Sequence, residues 1–250
     1  MTTPLSIDII NYASRPEIAP ALPGIVVALA KQLAEHVQPF WGRVMPALHL
    51  RKAPPPGSST LAIFDDEDQC SCLGYHNETP QGLPYGKVFA ENVLSNGGTI
   101  KDSANSISVT LSHELLEIVG DPSCNWWADN VDGYSYAMEL ADACQDTAYL
   151  IDDVYVSNFV TPAFFDPHSP PGARLDYLSL LTHPFTMTRG GYQIRRRADG
   201  QPSNIFASEF PEWKRPMKEH LAARTVRRLQ KPHPYPAEMD PQHGQEEITT

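Results

Sequence analysis

The stretch "SISVTLSHELLEIVGDP", Ser106 to Pro122, has the pattern of an amphipathic helix with defined ends. Asn105 or Ser106 is the expected N-cap, and the glycine and proline after Val119 are typical stop signals. One broad side of the helical wheel is apolar and carries Leu111, Leu115, Leu116, Ile118 and Val119. The other side is polar and carries Thr110, His113, Glu114, Glu117 and Asp121. The pattern predicts a helix packed on a core, with a polar side that is either a site or a solvated surface.

The polar side contains His113, Glu114 and Glu117 in the order His-Glu-x-x-Glu. Residues four apart on a helix lie one above the other, so the side chains of His113 and Glu117 can converge on one ion. Imidazole nitrogen and carboxylate oxygen are both good zinc ligands. The spacing therefore predicts a metal site, although a helix with an ordinary solvated face would have the same spacing.

The composition indicates a folded, acidic protein. The chain has 250 residues, of which 41% are hydrophobic, which is enough for one large domain or two small ones with a real core. Its net charge of −11 argues against nucleic acid or an anionic membrane as the main partner. The basic clusters at 195–197 and 224–228 are interpreted as solvated faces.

The sequence also gives an expectation for location. No apolar run approaches the roughly 18 residues of a membrane span. The N-terminus "MTTPLSIDIINYAS" lacks the basic region and apolar stretch of a signal peptide. We expect a cytoplasmic protein, while export by a route without a cleaved signal stays open.

The order of apolar segments predicts a single α+β domain over residues 1–230, with a small mixed sheet and a loop-rich C-terminal part. Residues 231–250 are polar and proline-rich, which predicts a flexible tail. The 24 prolines favour short elements separated by loops. Strands are expected at 5–12, 48–53, 59–66 and, as an exposed edge, 85–94; helices at 23–40, at the motif, and at 211–230; a turn with a short helix at 132–146; and hairpins at 148–165 and 190–201.

The motif segment resembles the active-site helix of the zincin metallopeptidases, whose signature is His-Glu-x-x-His. The order of a long helix, short strands, an edge strand and the motif helix, over roughly residues 5–146, is similar as well. The resemblance implies a zincin-like fold, with Glu114 as the general base and the edge strand at 85–94 pairing with a peptide substrate. Glu117 departs from the family pattern. A second anionic ligand would weaken the acidification of water and favour a harder divalent ion than zinc.

Two versions of the third ligand remain open. In the gluzincin-like version, Glu139 of "YAMELAD" is the ligand, and Asp142 accepts a hydrogen bond that orients His113. In the metzincin-like version, Asp121 is the ligand and Met138 resembles the Met-turn. Asp121 lies about 12 Å along the helix axis from His113, too far for a short side chain unless the chain folds back. Glu139 is therefore favoured.

The resemblance implies a hydrolase, a zinc-dependent metalloprotease acting on a peptide or protein substrate. Glu114 would take a proton from the attacking water, and Tyr136 or Tyr134 would donate a hydrogen bond to the oxyanion. No nucleic-acid or membrane partner is expected, and no oligomeric state is indicated. The alternative is a zincin-like protein without turnover, with a binding or structural role in an assembly.

Overall fold

A five-stranded sheet organises the first half of the chain. The computed structural model describes residues 6–68, 72–197, 200 and 202–209. The strands of this sheet are β1 (Ser6–Asn11), β2 (Ala47–Arg51), β3 (Ser59–Phe64), β4 (Gly74–Glu78) and β5 (Pro84–Phe89). Their order is β2-β1-β3-β5-β4, with β2, β1, β3 and β5 parallel and β4 antiparallel to β5. The strands expected at 5–12, 48–53 and 59–66 are confirmed with slightly shorter bounds.

The expected edge strand at 85–94 is wrong in two respects. β5 lies inside the sheet between β3 and β4, and all six of its residues are buried. Residues Ala90–Ser95 form a short helix, α3, instead of extending the strand. The edge is β4, "GYHNE", whose mostly polar sequence does not resemble a strand because its extended form depends on pairing with β5.

Two long helices pack on this sheet. Helix α1 (Ile18–Lys31) continues through a π-helical segment (Gln32–Val37) into α2 (Gln38–Trp41), which confirms the helix expected at 23–40 and extends it at both ends. Helix α4 (Ile107–Gly120) is the motif helix, and the hydroxyl of its N-cap Ser106 accepts a hydrogen bond from the backbone N–H of Val109. Its apolar side joins that of α1 in the main core.

The helical run Ile18–Trp41 is long and apolar enough to cross a membrane if only length and composition are considered. Helices of protein cores satisfy the same criterion. Here Ile25, Leu29 and Leu33 are buried in the main core, so this run is weak evidence for a membrane span.

The second half of the chain forms two smaller antiparallel units. The strands β6 (Trp127–Asp129), β7 (Tyr134–Ala137), β10 (Tyr192–Arg197) and β11 (Pro202–Phe206) form a four-stranded sheet in the order β11-β10-β7-β6, and β8 (Ala148–Ile151) and β9 (Val154–Ser157) form a hairpin. The hairpin expected at 148–165 is present but ends at Ser157, and Pro162–Phe165 is a 3-10 helix. The hairpin expected at 190–201 contains only β10, because its second strand, β11, lies at Pro202–Phe206. The expected turn and short helix at 132–146 is correct only at its end, where Asp142–Cys144 is a 3-10 helix. Residues 134–137 are extended because they pair with β6 and β10.

The structure is thus an α+β fold with the motif helix packed against β4 and β5. The expected helix at 211–230 and tail at 231–250 lie outside the described residues.

Candidate metal centre

The polar side of α4 faces a cleft, not bulk solvent. Glu114 and Glu117 are 3% and 2% exposed, and the side chain of His113 is 12% exposed. The interpretation of this side as an ordinary solvated face is therefore wrong. Carboxylates are rarely buried to this degree without a partner that compensates their charge.

Four segments form the walls of the cleft, which contains about 500 Å³ of space, partly open to solvent. Helix α4 contributes His113, Glu114 and Glu117, and the edge strand β4 contributes Tyr75, His76 and Asn77. Strand β10 contributes Tyr192 and Ile194, and the loops on either side of β6 and β7 contribute Cys124, Glu139 and Asp142. The cleft therefore joins the first sheet and its helix to the second sheet.

His113, Glu117 and Asp142 form the tightest group in the cleft. The Nε2 atom of His113 lies 3.1 Å from Oδ1 of Asp142 and 3.7 Å from Oε1 of Glu117. One ligand atom from each residue lies within 4.8 Å of the other two. Two atoms that bind one zinc ion at about 2.1 Å each are at most about 4.2 Å apart, and both measured distances satisfy this limit. The expected hydrogen bond between His113 and Asp142 is present. Asp142 also belongs to the group of three residues that could hold an ion together.

Glu117 is held in place by the segment that returns to the helix after β7. Its two carboxylate oxygens accept hydrogen bonds of 2.8 Å from the backbone N–H groups of Leu140 and Ala141. Burial, the nearby charges of Glu139 and Asp142, and a hydrogen bond shared with Glu139 raise the pKa of Glu117 well above the usual glutamate value. A carboxylate oxygen has two lone pairs, so these backbone bonds leave Glu117 able to bind an ion.

Glu139 and Glu114 lie on either side of His76. The Nδ1 atom of His76 is 3.9 Å from Oε2 of Glu114, and its Nε2 atom is 3.8 Å from Oε2 of Glu139. Glu139, the favoured third ligand, thus lies beside the three-residue group and contacts it through Glu117. Sequence reasoning did not include His76 in the site. In the sequence, His76 is only one histidine in a polar pentapeptide. It becomes a candidate site residue because β4 packs next to α4.

The structure places the other expected site residues elsewhere. The carboxylate of Asp121 accepts hydrogen bonds from the backbone N–H groups of Asn125 and Trp126, so it shapes the turn after α4. The hydroxyl of Tyr136 donates to Asp132 at 2.8 Å. Tyr134 accepts a hydrogen bond from Arg197. None of these three lies among the described residues that line the cleft.

Acidic groups predominate in the described lining of the cleft. Four buried carboxyl groups, those of Glu114, Glu117, Glu139 and Asp142, share it with two histidines. The described lining contains no lysine or arginine. Carboxyls buried this close together repel one another when ionised, and a bound proton or cation reduces that repulsion. A divalent cation bound between His113, Glu117 and Asp142 would relieve the repulsion, so the residues present fit a metal ion.

Comparison with protein-family models gave no match for this chain. Comparison with characterised proteins gave no significant match either.

Proposed function

We propose that this chain is a metal-dependent peptidase of zincin-like architecture, with its ion held by His113, Glu117 and Asp142. The observation that carries the proposal is the convergence of these three side chains, with ligand atoms within 4.8 Å of one another, in a cleft rich in buried carboxyl groups. Glu114 belongs to the same cleft but lies outside the three-residue group, which leaves it available as a general base.

The arrangement of the first sheet supports the zincin-like part of the proposal. Parallel strands end in one antiparallel edge strand, and the motif helix packs beside that edge. Strand β4 takes the place first assigned to residues 85–94, and its His76 and Asn77 line the cleft. An edge strand can pair with an extended peptide through its backbone groups, which would place a peptide bond next to α4.

The donor set of one imidazole and two carboxylates is compatible with zinc, and it also suits harder ions such as manganese. We propose zinc, with another divalent ion as the alternative. When bound, such an ion supplies Lewis acidity, which lowers the pKa of water and polarises a carbonyl.

The protein's own residues would perform the proton transfers of hydrolysis. Glu114 takes a proton from the attacking water as the new carbon–oxygen bond forms, and gives it to the amine nitrogen as the carbon–nitrogen bond breaks. His76, whose Nδ1 lies 3.9 Å from Oε2 of Glu114, would help to hold that carboxylate in position. The expected oxyanion role of Tyr136 is not part of the proposal, because its hydroxyl bonds Asp132 outside the cleft.

Metal analysis and one substitution test the proposal. Purified protein should contain about one divalent ion per chain, and its removal by chelation should lower the melting temperature. Binding at a hundredfold excess over Kd contributes about 2.7 kcal/mol. His113→Ala should lose the ion, whereas His49→Ala, on the exposed face of β2, should keep it. An unchanged metal content in His113→Ala would disprove the site.

Glu114→Gln then tests turnover. It should keep the ion and lose hydrolysis of a peptide library by about a hundredfold to ten-thousandfold. Retained hydrolysis would contradict the role of Glu114.

The alternative is a metal-binding protein without turnover, with a binding or structural role. One observation favours it: both oxygens of Glu117 already bond the backbone of the returning segment, so the cluster also holds the fold together. A metal-loaded wild type that hydrolyses no peptide would support this alternative. The cytoplasmic location and the absence of nucleic-acid and membrane partners stay predictions.

A further inference from the structure

The side chains of β10 alternate between the two faces of its sheet, and this alternation shows which residue follows those that line the cleft. Tyr192 and Ile194 line the cleft and are buried. Side chains two apart on a strand share a face, so Arg196 is the next residue on that face. Trp127, on β6, packs against the same buried cluster as Tyr192 and Ile194. The wall of the cleft therefore leads from two apolar residues to an arginine.

Arg196 is held over an aromatic ring. Its guanidinium carbon lies 4.1 Å from the ring centroid of Trp127, and the side chain is half-buried. Among the residues that the structure describes, no carboxylate lies within 4 Å of its nitrogens. The interpretation of 195–197 as a purely solvated face is thus wrong for Arg196. A stacked guanidinium keeps its plane fixed and its N–H edges available.

The neighbouring arginines provide a comparison on the opposite face. Arg195 and Arg197 lie 4.0 Å and 5.0 Å from the ring centroid of Tyr134, and Nε of Arg197 donates to the hydroxyl of that tyrosine. Arg197 is exposed. Its charge matches that of Arg196, but it points away from the cleft.

The charge pattern of the cleft indicates what Arg196 would bind. The end near α4 is acidic, so an anionic group of a ligand is repelled there and attracted to Arg196. Guanidinium binds a carboxylate through two parallel hydrogen bonds, and such charge-assisted bonds are the strong ones. We propose that Arg196 is a specificity-determining residue that binds a carboxylate of the peptide: an aspartate or glutamate side chain, or the C-terminus. This inference rests on the proposed peptidase function for its substrate class.

The test measures binding and hydrolysis separately. Zinc-loaded Glu114→Gln protein is titrated with labelled peptides in pairs, which differ either by glutamate against glutamine at one position or by a C-terminal acid against an amide. We expect the acidic member of one pair type to bind about tenfold more tightly. A preference in the glutamate–glutamine pairs would indicate that a side-chain carboxylate is bound. A preference in the acid–amide pairs would indicate that the C-terminus is bound. Wild-type protein should show the same preference in kcat/KM.

Substitutions on β10 assign the preference to a residue. Adding Arg196→Gln should bring the affinity ratio close to one, and Arg196→Glu should favour peptides with lysine at the same position. Arg197→Gln is the matched control and should keep the full preference. Metal content and melting temperature, measured for each variant, show whether it is folded.

Equal binding within every pair, no binding of any peptide, or the same loss in Arg197→Gln as in Arg196→Gln would overturn the inference. A preference in binding without hydrolysis by the wild type would instead refute the peptidase proposal alone. Arg196 would then be the anion-binding residue of a peptide-binding protein.

Discussion

The two sides of the first sheet differ in the groups that surround their buried charges. On the side away from α4, Lys87 is 2% exposed, and its ammonium lies 2.7 Å from Asp68 and above the ring of Phe64. Nearby, Asp8 is bonded by Arg51. In the cleft, four carboxyls gather with no lysine or arginine in the described lining. The first side pairs its buried charges with lysine and arginine, whereas the described lining of the cleft brings acids together with histidines. This difference supports the proposal of a cation in the cleft.

The largest expected loss of stability comes from removing the ion pair between Lys87 and Asp68, on the side of the sheet away from α4. Asp68→Ala removes a carboxylate that pairs with buried Lys87 and also accepts from the hydroxyl of Tyr75. Breaking a buried ion pair from one side costs about 3–5 kcal/mol; because Asp68 is partly exposed, we expect about 2–3 kcal/mol. Urea unfolding measures the loss. A change below the error of the method would show that the pair is not what stabilises Lys87.

A smaller loss is expected where α4 meets the returning segment. A Cβ at Gly120 would lie 2.0 Å from Cδ1 of Leu140, so Gly120→Ala must displace the buried side chain of Leu140, whose backbone N–H bonds Glu117. Overpacking of this kind costs about 1–3 kcal/mol, and the affinity for zinc should fall as well. Unfolding in urea and zinc titration measure the two effects.

Gly24→Ala is the matched control, because a Cβ there meets no atom within 4 Å. Replacing an exposed helical glycine by alanine should stabilise the protein by about 1 kcal/mol. Equal effects of the two substitutions would show that the contact with Leu140 does not matter.

Removing one acid from the cleft should have the opposite sign to Asp68→Ala. Glu139→Gln relieves repulsion with Glu117, whose pKa it helps to raise. The metal-free variant should be more stable than the metal-free wild type by about 1 kcal/mol, and the stabilisation gained on adding zinc should be smaller. Thermal unfolding with chelator and with zinc measures both. A destabilised metal-free Glu139→Gln would contradict the view of the cleft as a site of unbalanced charge.

Helix α4 and strand β4, which both line the cleft, differ in how well the sequence predicts them. The ends and faces of α4 follow from local rules, because Ser106 caps it and the apolar residues recur at helical spacing. The convergence of His113 and Glu117 follows from the same spacing. Strand β4 cannot be predicted from local rules, because its polar sequence becomes extended through pairing with β5. His76 was missed for that reason.

Asp142 illustrates a second limit. Its approach to His113 depends on Leu140 and Ala141 donating hydrogen bonds to Glu117, more than twenty residues earlier. Local propensity carries no information on such a contact. The contact of Asp142 with His113 was anticipated from the sequence. That Asp142 and not Glu139 joins the group with His113 and Glu117 is decided by the path of the backbone after β7.

The smallest predicted effect is the contribution of His36 to the pH dependence of stability, which can be measured apart from that of the cleft. His36 lies in the π-helical segment, stacked on Tyr177, with Nδ1 3.0 Å from the hydroxyl of Tyr149. Burial lowers the pKa of His36, and Arg174 lowers it further against the opposing effect of Glu35. Below about pH 6.5 the unfolded chain binds a proton more readily than the native protein. This histidine therefore reduces stability as the pH falls from about 6.5 through its native pKa. Because the ring is only partly buried, we expect a few tenths of a kcal/mol.

Urea unfolding of zinc-saturated wild type and His36→Phe between pH 7.5 and 5, about the range in which histidine titrates, measures this contribution. Zinc keeps the charge state of the cleft fixed, so the variant should lose slightly less stability than the wild type on acidification. Equal losses would assign the acid sensitivity to other groups. When zinc is omitted, the loss on acidification should be smaller in both proteins, because the raised pKa of Glu117 makes its protonation favour the native state as the pH falls. A larger loss without zinc would contradict this account of the cleft.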